Sequence, residues 1–358
     1  LKTIGQLAFA GCVAATVLEI PGTVTEIGRE TFAQCRSLAS LHIPGSIAVI
    51  PESAFASCKS LKQIQIGEGV TTIGMSALSG CSGLKKVVIP SSVTDIGAQA
   101  FYGCSALKSI NIPDGVTKIE KETFYGCGKL LNISLPDSVT SVDEGAFQKC
   151  SSLTSFVVPV SITELPTSLF QGCTSLEAVE LPAGLRSIGD YSFAGCSALS
   201  VIEIPDTVTD MGKYIFYYCT SLTTVNLSVN ITTIPYGLFS CCTSLSTIEI
   251  PDSVTSIGDY AFSDCTALGD IELSDNLLSI GSDAFFNCVS LTSIEIPDTV
   301  TSIGNSVFRE CTGLTSINIP DNVTTISDSL FEGCTSLSTI EIPDTVTSIG
   351  NSVFRECT

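Results

Sequence analysis

A cysteine recurs every 23 residues along this chain, and that regularity limits the folds open to it more than any other feature. From Cys12 the series runs through Cys35, Cys58, Cys81 and onward to Cys334 and Cys357 without one insertion or deletion. Strict self-similarity at a period of about 20 to 50 residues marks a solenoid, in which each repeat buries its apolar face only against its neighbours. The stretch IEIPDTVTSIGNSVFRECT occurs twice, from Ile294 to Thr312 and from Ile340 to Thr358, two periods apart. A catalytic site is a single arrangement of unlike groups and gains nothing from such copying. A stack gains an interface with every unit added.

Other columns keep the phase of the cysteines. With each of these Cys counted as zero, Leu stands at plus three (Leu38, Leu61, Leu84 through Leu337), failing only at Ala15. Aliphatic residues at plus six and plus eight, such as Ile294 and Ile296, give the period-two alternation of a strand with one buried face. Pro follows at plus nine in most repeats (Pro21, Pro44, Pro90, Pro297, Pro343), where it lacks a ladder donor and closes the strand. Apolar residues at plus twelve and plus fifteen (Val300, Ile303) precede a Gly or Pro that predicts a turn. Phe fills plus twenty in fifteen of sixteen repeats, Leu78 being the exception, so the rings should form a stacked spine. The few residues between turn and Cys, as in NSVFREC or SDAFFNC, are expected to make a short helix or 3-10 turn on the outer face.

The run Leu-x-x-Ile-x-Ile-Pro-x-x-Val-x-x-Ile-Gly-x-x-x-Phe-x-x-Cys, seen from Leu291 to Cys311, resembles the leucine-rich repeats of the BspA-like, Treponema pallidum-type subclass, and the likeness covers the whole chain. It implies an α/β repeat solenoid, a right-handed arc with a parallel sheet on its concave face and short helical or 3-10 turns on its convex face. It also implies adhesion or partner binding at a bacterial or protozoan surface. The unbroken period makes residues 1–358 a single solenoid of about sixteen 23-residue repeats, a rod about 75 Å long at ordinary strand spacing. Starting in the plus-twelve column and stopping one residue past a Cys, the chain reads as a fragment without its caps, its apolar end rungs open to further repeats.

Net charge is −20, and it is unevenly placed. Residues 1 to 179 carry 12 basic and 14 acidic side chains (net −2), whereas residues 180 to 358 carry 4 and 22 (net −18). Such a surface repels phosphate backbones and anionic lipid, which argues against nucleic acid and bare membranes as partners and for cationic ones. No 18-residue apolar run is present to span a membrane. The ladder cysteines point the same way on successive rungs, which disfavours the disulfide torsion, so they are expected as buried free thiols. Cys241, off the ladder where many repeats have Gly, is either an exposed thiol or a neutral replacement.

Catalysis finds little support. The single histidine, His42, falls at an outward strand position with no nucleophile implied beside it. Neither a phosphate-binding loop nor a metalloprotease motif occurs, no Cys/His pairing suggests zinc, and no cofactor is expected. Two column features point to partner binding instead. The first is plus seven, where Glu180, Glu203, Glu249, Glu272, Glu295 and Glu341, with Asn226 and Asn318 between them, line up on the concave face. These carboxylates form either a track for a Lys/Arg-rich partner or a solubilising residue copied with the repeat. Calcium is disfavoured, because one linear column does not enclose an ion with six or more oxygens.

The second is a departure from the repeat. Tyr191, Tyr214 and Tyr260 share plus eighteen, Tyr236 sits one place earlier, and Tyr217 and Tyr218 lie close by. Stacked coils would gather them on the convex side as interface anchors, or as ordinary half-buried residues. A Thr column at plus thirteen, filled in twelve of fifteen repeats, is expected to hydrogen-bond between coils. Together these readings favour a non-enzymatic scaffold, secreted or displayed on the cell surface, that binds a protein or extracellular-matrix partner. The alternative is a structural scaffold that self-associates end to end in a larger complex or fibre.

Overall fold

The computed structural model describes residues 1–357, which separate into two compact units, Leu1–Pro182 and a second that begins at Ala183. Each is a parallel-strand solenoid of stacked coils, one coil per 23 residues. The apolar alternation at plus five to plus eight forms the first strand of a coil. In the first unit Ser40–Ile43 pairs in parallel with Gln63–Ile66, which pairs with Lys86–Val88, every residue opposite the one 23 positions away. In the second unit Thr247–Glu249 pairs in the same way with Asp270–Glu272. A one-residue slip would turn the whole apolar set outward, so the buried face holds the register.

A second strand, too short for alternation to announce, occupies plus fourteen and plus fifteen. Val49–Ile50 pairs with Thr72–Ile73 and then Asp95–Ile96, and Thr233–Ile234 begins a four-membered ladder through Ser256–Ile257, Ser279–Ile280 and Ser302–Ile303. The Thr column braces this ladder. Thr71, Thr255 and Thr347 each donate a hydroxyl proton to a carbonyl of the preceding coil at 3.1 to 3.3 Å.

The outer segment departs from the expected helical or 3-10 turns: the described residues contain no helix, only consecutive turns. Two features explain this. Residues at plus eighteen and plus twenty-two adopt left-handed φ values, as at Ser53 (53°) and Ser57 (60°), and two such residues within five interrupt any right-handed helix. Alternate amides are also directed out of the segment. Ser53, Phe55 and Ser57 donate N–H to Met75, Ala77 and Ser79 of the next coil at 2.6 to 2.9 Å, while Ala54, Ala56 and Cys58 close local bonds three residues back. The segment is therefore a third ladder between coils. Each backbone donor finds a partner without a helix.

The interior is lined by the columns read from the sequence. Around one coil Leu61, Ile64, Ile66, Val70, Ile73, Ala77, Leu78 and Cys81 are all buried. Phe rings stack coil on coil, Phe239 on Phe262 at 5.4 Å and Phe262 on Phe285 at 5.2 Å between centroids. The cysteines are free thiols. Most ladder thiols donate to the carbonyl of the Phe in the coil before, as Cys58 does to Phe32 at 3.2 Å and Cys242 to Phe216 at 3.1 Å, while Cys104 donates to Leu78 at 3.3 Å. An S–H group is small enough for this column and still supplies a donor, which Ala or Val would not. Burial pushes most of these thiols up, Cys104 and Cys219 to about 12, whereas a hydrogen bond with Cys81 holds Cys58 below the ordinary thiol value.

Candidate functional site

The residues singled out on the strand face project outward because plus five and plus seven alternate with the buried plus six and plus eight. His42 is exposed and flanked in register by Glu19 and Gln65, without a nucleophile opposite it. Glu180 lies in the first unit, exposed and opposite Val157. The other five column glutamates lie in the second unit, all exposed. There Glu203 faces Asn226, Glu249 faces Glu272, and Asn318 faces Glu341. Glu295 follows the strand Ser293–Ile294 and lines, with Asn318 and Glu341, a shallow trough of about 690 Å³.

Asp270, two places before Glu272 at plus five, adds a carboxylate to the same face, because it, Glu249 and Glu272 line one depression of about 270 Å³. Among the described residues none of these carboxylates forms a salt bridge; the second unit's ion pairs are those of Arg309 and Arg355 with Glu332 and Glu356. Adjacent carboxylates at strand spacing repel by about 1 kcal/mol per pair even in bulk water. A cationic group laid along the face would relieve that repulsion. The described residues contain no group of three or more His, Cys, Asp or Glu side chains arranged to hold a metal ion.

The six tyrosines form one continuous cluster on the turn side of the second unit. Tyr214 is its hub: Tyr191 stacks on it at 5.1 Å, while Tyr217 and Tyr236 meet it edge-on at 5.3 and 5.1 Å. Tyr218 continues from Tyr217 at 4.5 Å and Tyr260 from Tyr236 at 5.4 Å. Tyr218 and Tyr260 are exposed, and the other four half-buried. Burial, reinforced by a hydrogen bond with Tyr236, pushes the Tyr214 phenol up. The Tyr260 hydroxyl bonds Asp283, whose charge raises the phenol.

Two members of this surface were not visible as members of the Tyr pattern. Gly237 occupies plus eighteen with a φ of +60°, and any Cβ there would collide with the Tyr214 ring. The one Gly among tyrosines in that column is the signal, and it also explains why the next tyrosine is displaced to position 236. Gly237→Ala is expected to lower stability by about 1–3 kcal/mol and to disturb the Tyr cluster, read from chemical denaturation and tyrosine fluorescence. An unchanged denaturation midpoint would show that the ring does not need this space. Asp264, beside the cluster, accepts hydrogen bonds from Ser263 at 3.1 Å and Asn287 at 2.8 Å. Cys241 lies nearby, half-buried, its thiol pushed up by burial and by Asp264, so it is not an activated nucleophile.

A sequence pattern described as a BspA type leucine rich repeat region, six copies long, matches residues 1–108, 77–197, 163–288 and 232–358. The chain belongs to the BspA-type leucine-rich repeat family. Among solved structures, this BspA-type chain is similar to a leucine-rich repeat protein of Bacteroides ovatus at 31% identity. The match covers 98% of this chain and 87% of that one, with a TM-score of 0.75. It is also similar to a leucine rich cell surface protein of Faecalibacterium prausnitzii, at 30% identity over 85% and 87% of the two chains with a TM-score of 0.56. A leucine-rich repeat protein of Eubacterium ventriosum, 23% identical over 86% and 85% of the chains with a TM-score of 0.57, shares the fold. No curated protein matches the chain.

Proposed function

We propose that this BspA-type chain is a non-enzymatic binding scaffold, displayed on a cell surface or secreted, that holds a basic protein or extracellular-matrix partner against the strand face of its second unit. The observation that carries the reading is the direct pairing of Glu249 with Glu272, beside Asp270, with no salt bridge to any of the three among the described residues. Leucine-rich repeat proteins are in general binding scaffolds, and the similar Faecalibacterium protein is described as a cell surface protein. That likeness supports the surface display proposed here. Most of the Tyr cluster is engaged in contacts with itself, which makes it the secondary candidate for an interface.

The test compares the chain with Glu249→Gln/Glu272→Gln/Glu295→Gln and with Tyr191→Ser/Tyr214→Ser/Tyr260→Ser in capture from matrix extract across a salt series. The glutamine variant is expected to lose at least about tenfold in affinity for a saturable, salt-sensitive partner, while the tyrosine variant retains it. Loss in the tyrosine variant alone would move the interface to the turn side. Equal capture by all three chains would reduce the glutamates to a solubilising column.

A further inference from the structure

The first unit carries the opposite charge on the leading edge of its strand face. Lys62, Lys85 and Lys108 fill plus four in three successive coils, a column that elsewhere holds mostly small neutral residues such as Ala39, Thr154, Ser200, Ser246 and Gly269, with Leu131 and Glu177 the exceptions. Their backbones are bonded directly, Lys85 N–H to the Lys62 carbonyl at 3.0 Å and Lys108 N–H to the Lys85 carbonyl at 3.3 Å, so the three side chains leave adjacent rungs. Lys86, in strand register with Gln63 and bridged to Ser109, adds a fourth amine one place along, and Arg36 and Lys59 flank them at plus one. All six are exposed.

Positions plus one to plus five of these four coils contain no acidic residue. Among the described residues none of the six cations is in a salt bridge, although the first unit pairs Arg29, Lys118 and Lys121 with carboxylates elsewhere. Copying of the repeat does not account for the row, because the corresponding positions of the second unit hold no basic residue.

We infer that this lysine row is a second binding site, separate from the acidic face, and that it takes a sulfated polysaccharide laid across the coils. The amines repeat at the strand spacing of about 4.8 Å, a step similar in length to one sugar of an extended glycan carrying an anionic group on most residues. Hydroxyl and amide groups of Ser40, Gln63 and Ser109 stand along the same edge, where they suit a polyhydroxylated backbone. No aromatic side chain occurs in these positions, so the stacking platform of a single-stranded nucleic acid site is missing. An acidic protein would need several exposed apolar anchors, whereas the Leu at plus three is buried in every one of these coils and Val88, two places beyond Lys86, is a single exposed aliphatic.

Heparin, used as the probe with the full chain in calorimetric titrations from about 0.05 to 0.3 M salt, tests the site. The intact chain should bind with an affinity that falls steeply with salt. Lys62→Gln/Lys85→Gln/Lys108→Gln should lose at least about tenfold in affinity and flatten the log–log salt slope by about 2 to 3, with an unchanged melting temperature. Glu249→Gln/Glu272→Gln/Glu295→Gln should bind heparin no more weakly than the parent, which separates this site from the acidic one. Absence of heparin binding at the lowest salt, equal binding by the lysine variant, or equally tight binding of single-stranded DNA would each overturn the inference.

Discussion

At about pH 10.5 the chain is expected to unfold at denaturant concentrations it resists at about pH 8. The cause is the cysteine ladder. Cys104 and Cys219 are fully buried, and burial raises their thiols from an ordinary value of 9.0 to about 12. Cys242, Cys265 and Cys288 move in the same direction for the same reason. A folded chain thus keeps protons that an unfolded chain releases near 9. The thiols leave stability unaffected below that value, and stability falls as pH rises from about 9 towards about 12. Each buried thiol costs about 1 kcal/mol per pH unit in that window. Cys219 alone then removes on the order of 2 kcal/mol by about pH 10.5, and Cys242, Cys265 and Cys288 add to the loss in the same direction, against a typical domain stability of about 5–15 kcal/mol. Guanidinium midpoints measured across this range provide the check. Tyrosine and lysine titrate there too, so Cys219→Ala/Cys265→Ala is the comparison that isolates the thiols: less stable at pH 8, but with a shallower decline. An equal decline in both chains would sink the explanation.

The interior columns followed directly from the period, since a strict repeat leaves only one way to bury Leu, Ile, Phe and Cys together. What the period did not reveal was where the backbone donors go. The outer segment has apolar residues at spacings that a short helix would also give, yet its amides bond 22 residues ahead, as Phe55 does to Ala77. At plus eighteen the left-handed residues are mostly not Gly, Ser53 and Tyr214 among them, and at plus twenty-two Gly80, Gly103 and Gly126 share the column with residues such as Ser57 and Glu310, so no uniform Gly column marked the conformation. Two-residue strands such as Val49–Ile50 are too short to show alternation at all. At the surface, a column locates a side chain but not its neighbours. Glu249 and Glu272 could be aligned by counting, whereas the collision between position 237 and the Tyr214 ring needed coordinates. The lysine row was countable as well. It was hidden by reading charge over whole halves of the chain instead of over one edge of one face.

Phe262→Ala is expected to destabilise the second unit by about 3–5 kcal/mol. The ring is fully buried and lies between Phe239 and Phe285, nearly parallel to the latter at 1°. Its removal loses the transfer energy of the ring and the stacking on both sides, and it leaves a cavity that the coil above cannot fill. That coil is held in place by its own ladders, including the Cys288 thiol bond to the Phe262 carbonyl at 3.2 Å. The backbone at position 262 is therefore pinned while the side chain is lost, the condition under which cavities relax least. The chain supplies its own control at position 78. Leu78 occupies the Phe column in the first unit and is as fully buried as the rings. A branched aliphatic side chain thus fits this column, and Phe262→Leu should cost less than about 1.5 kcal/mol, close to a volume-conserving exchange. Denaturation of the two variants beside the parent decides the matter. If alanine and leucine were equally harmful, the rigidity of the ring stack would dominate over its volume. If both were tolerated, the spine would contribute little, and the stability of the unit would have to reside in its hydrogen-bonded ladders.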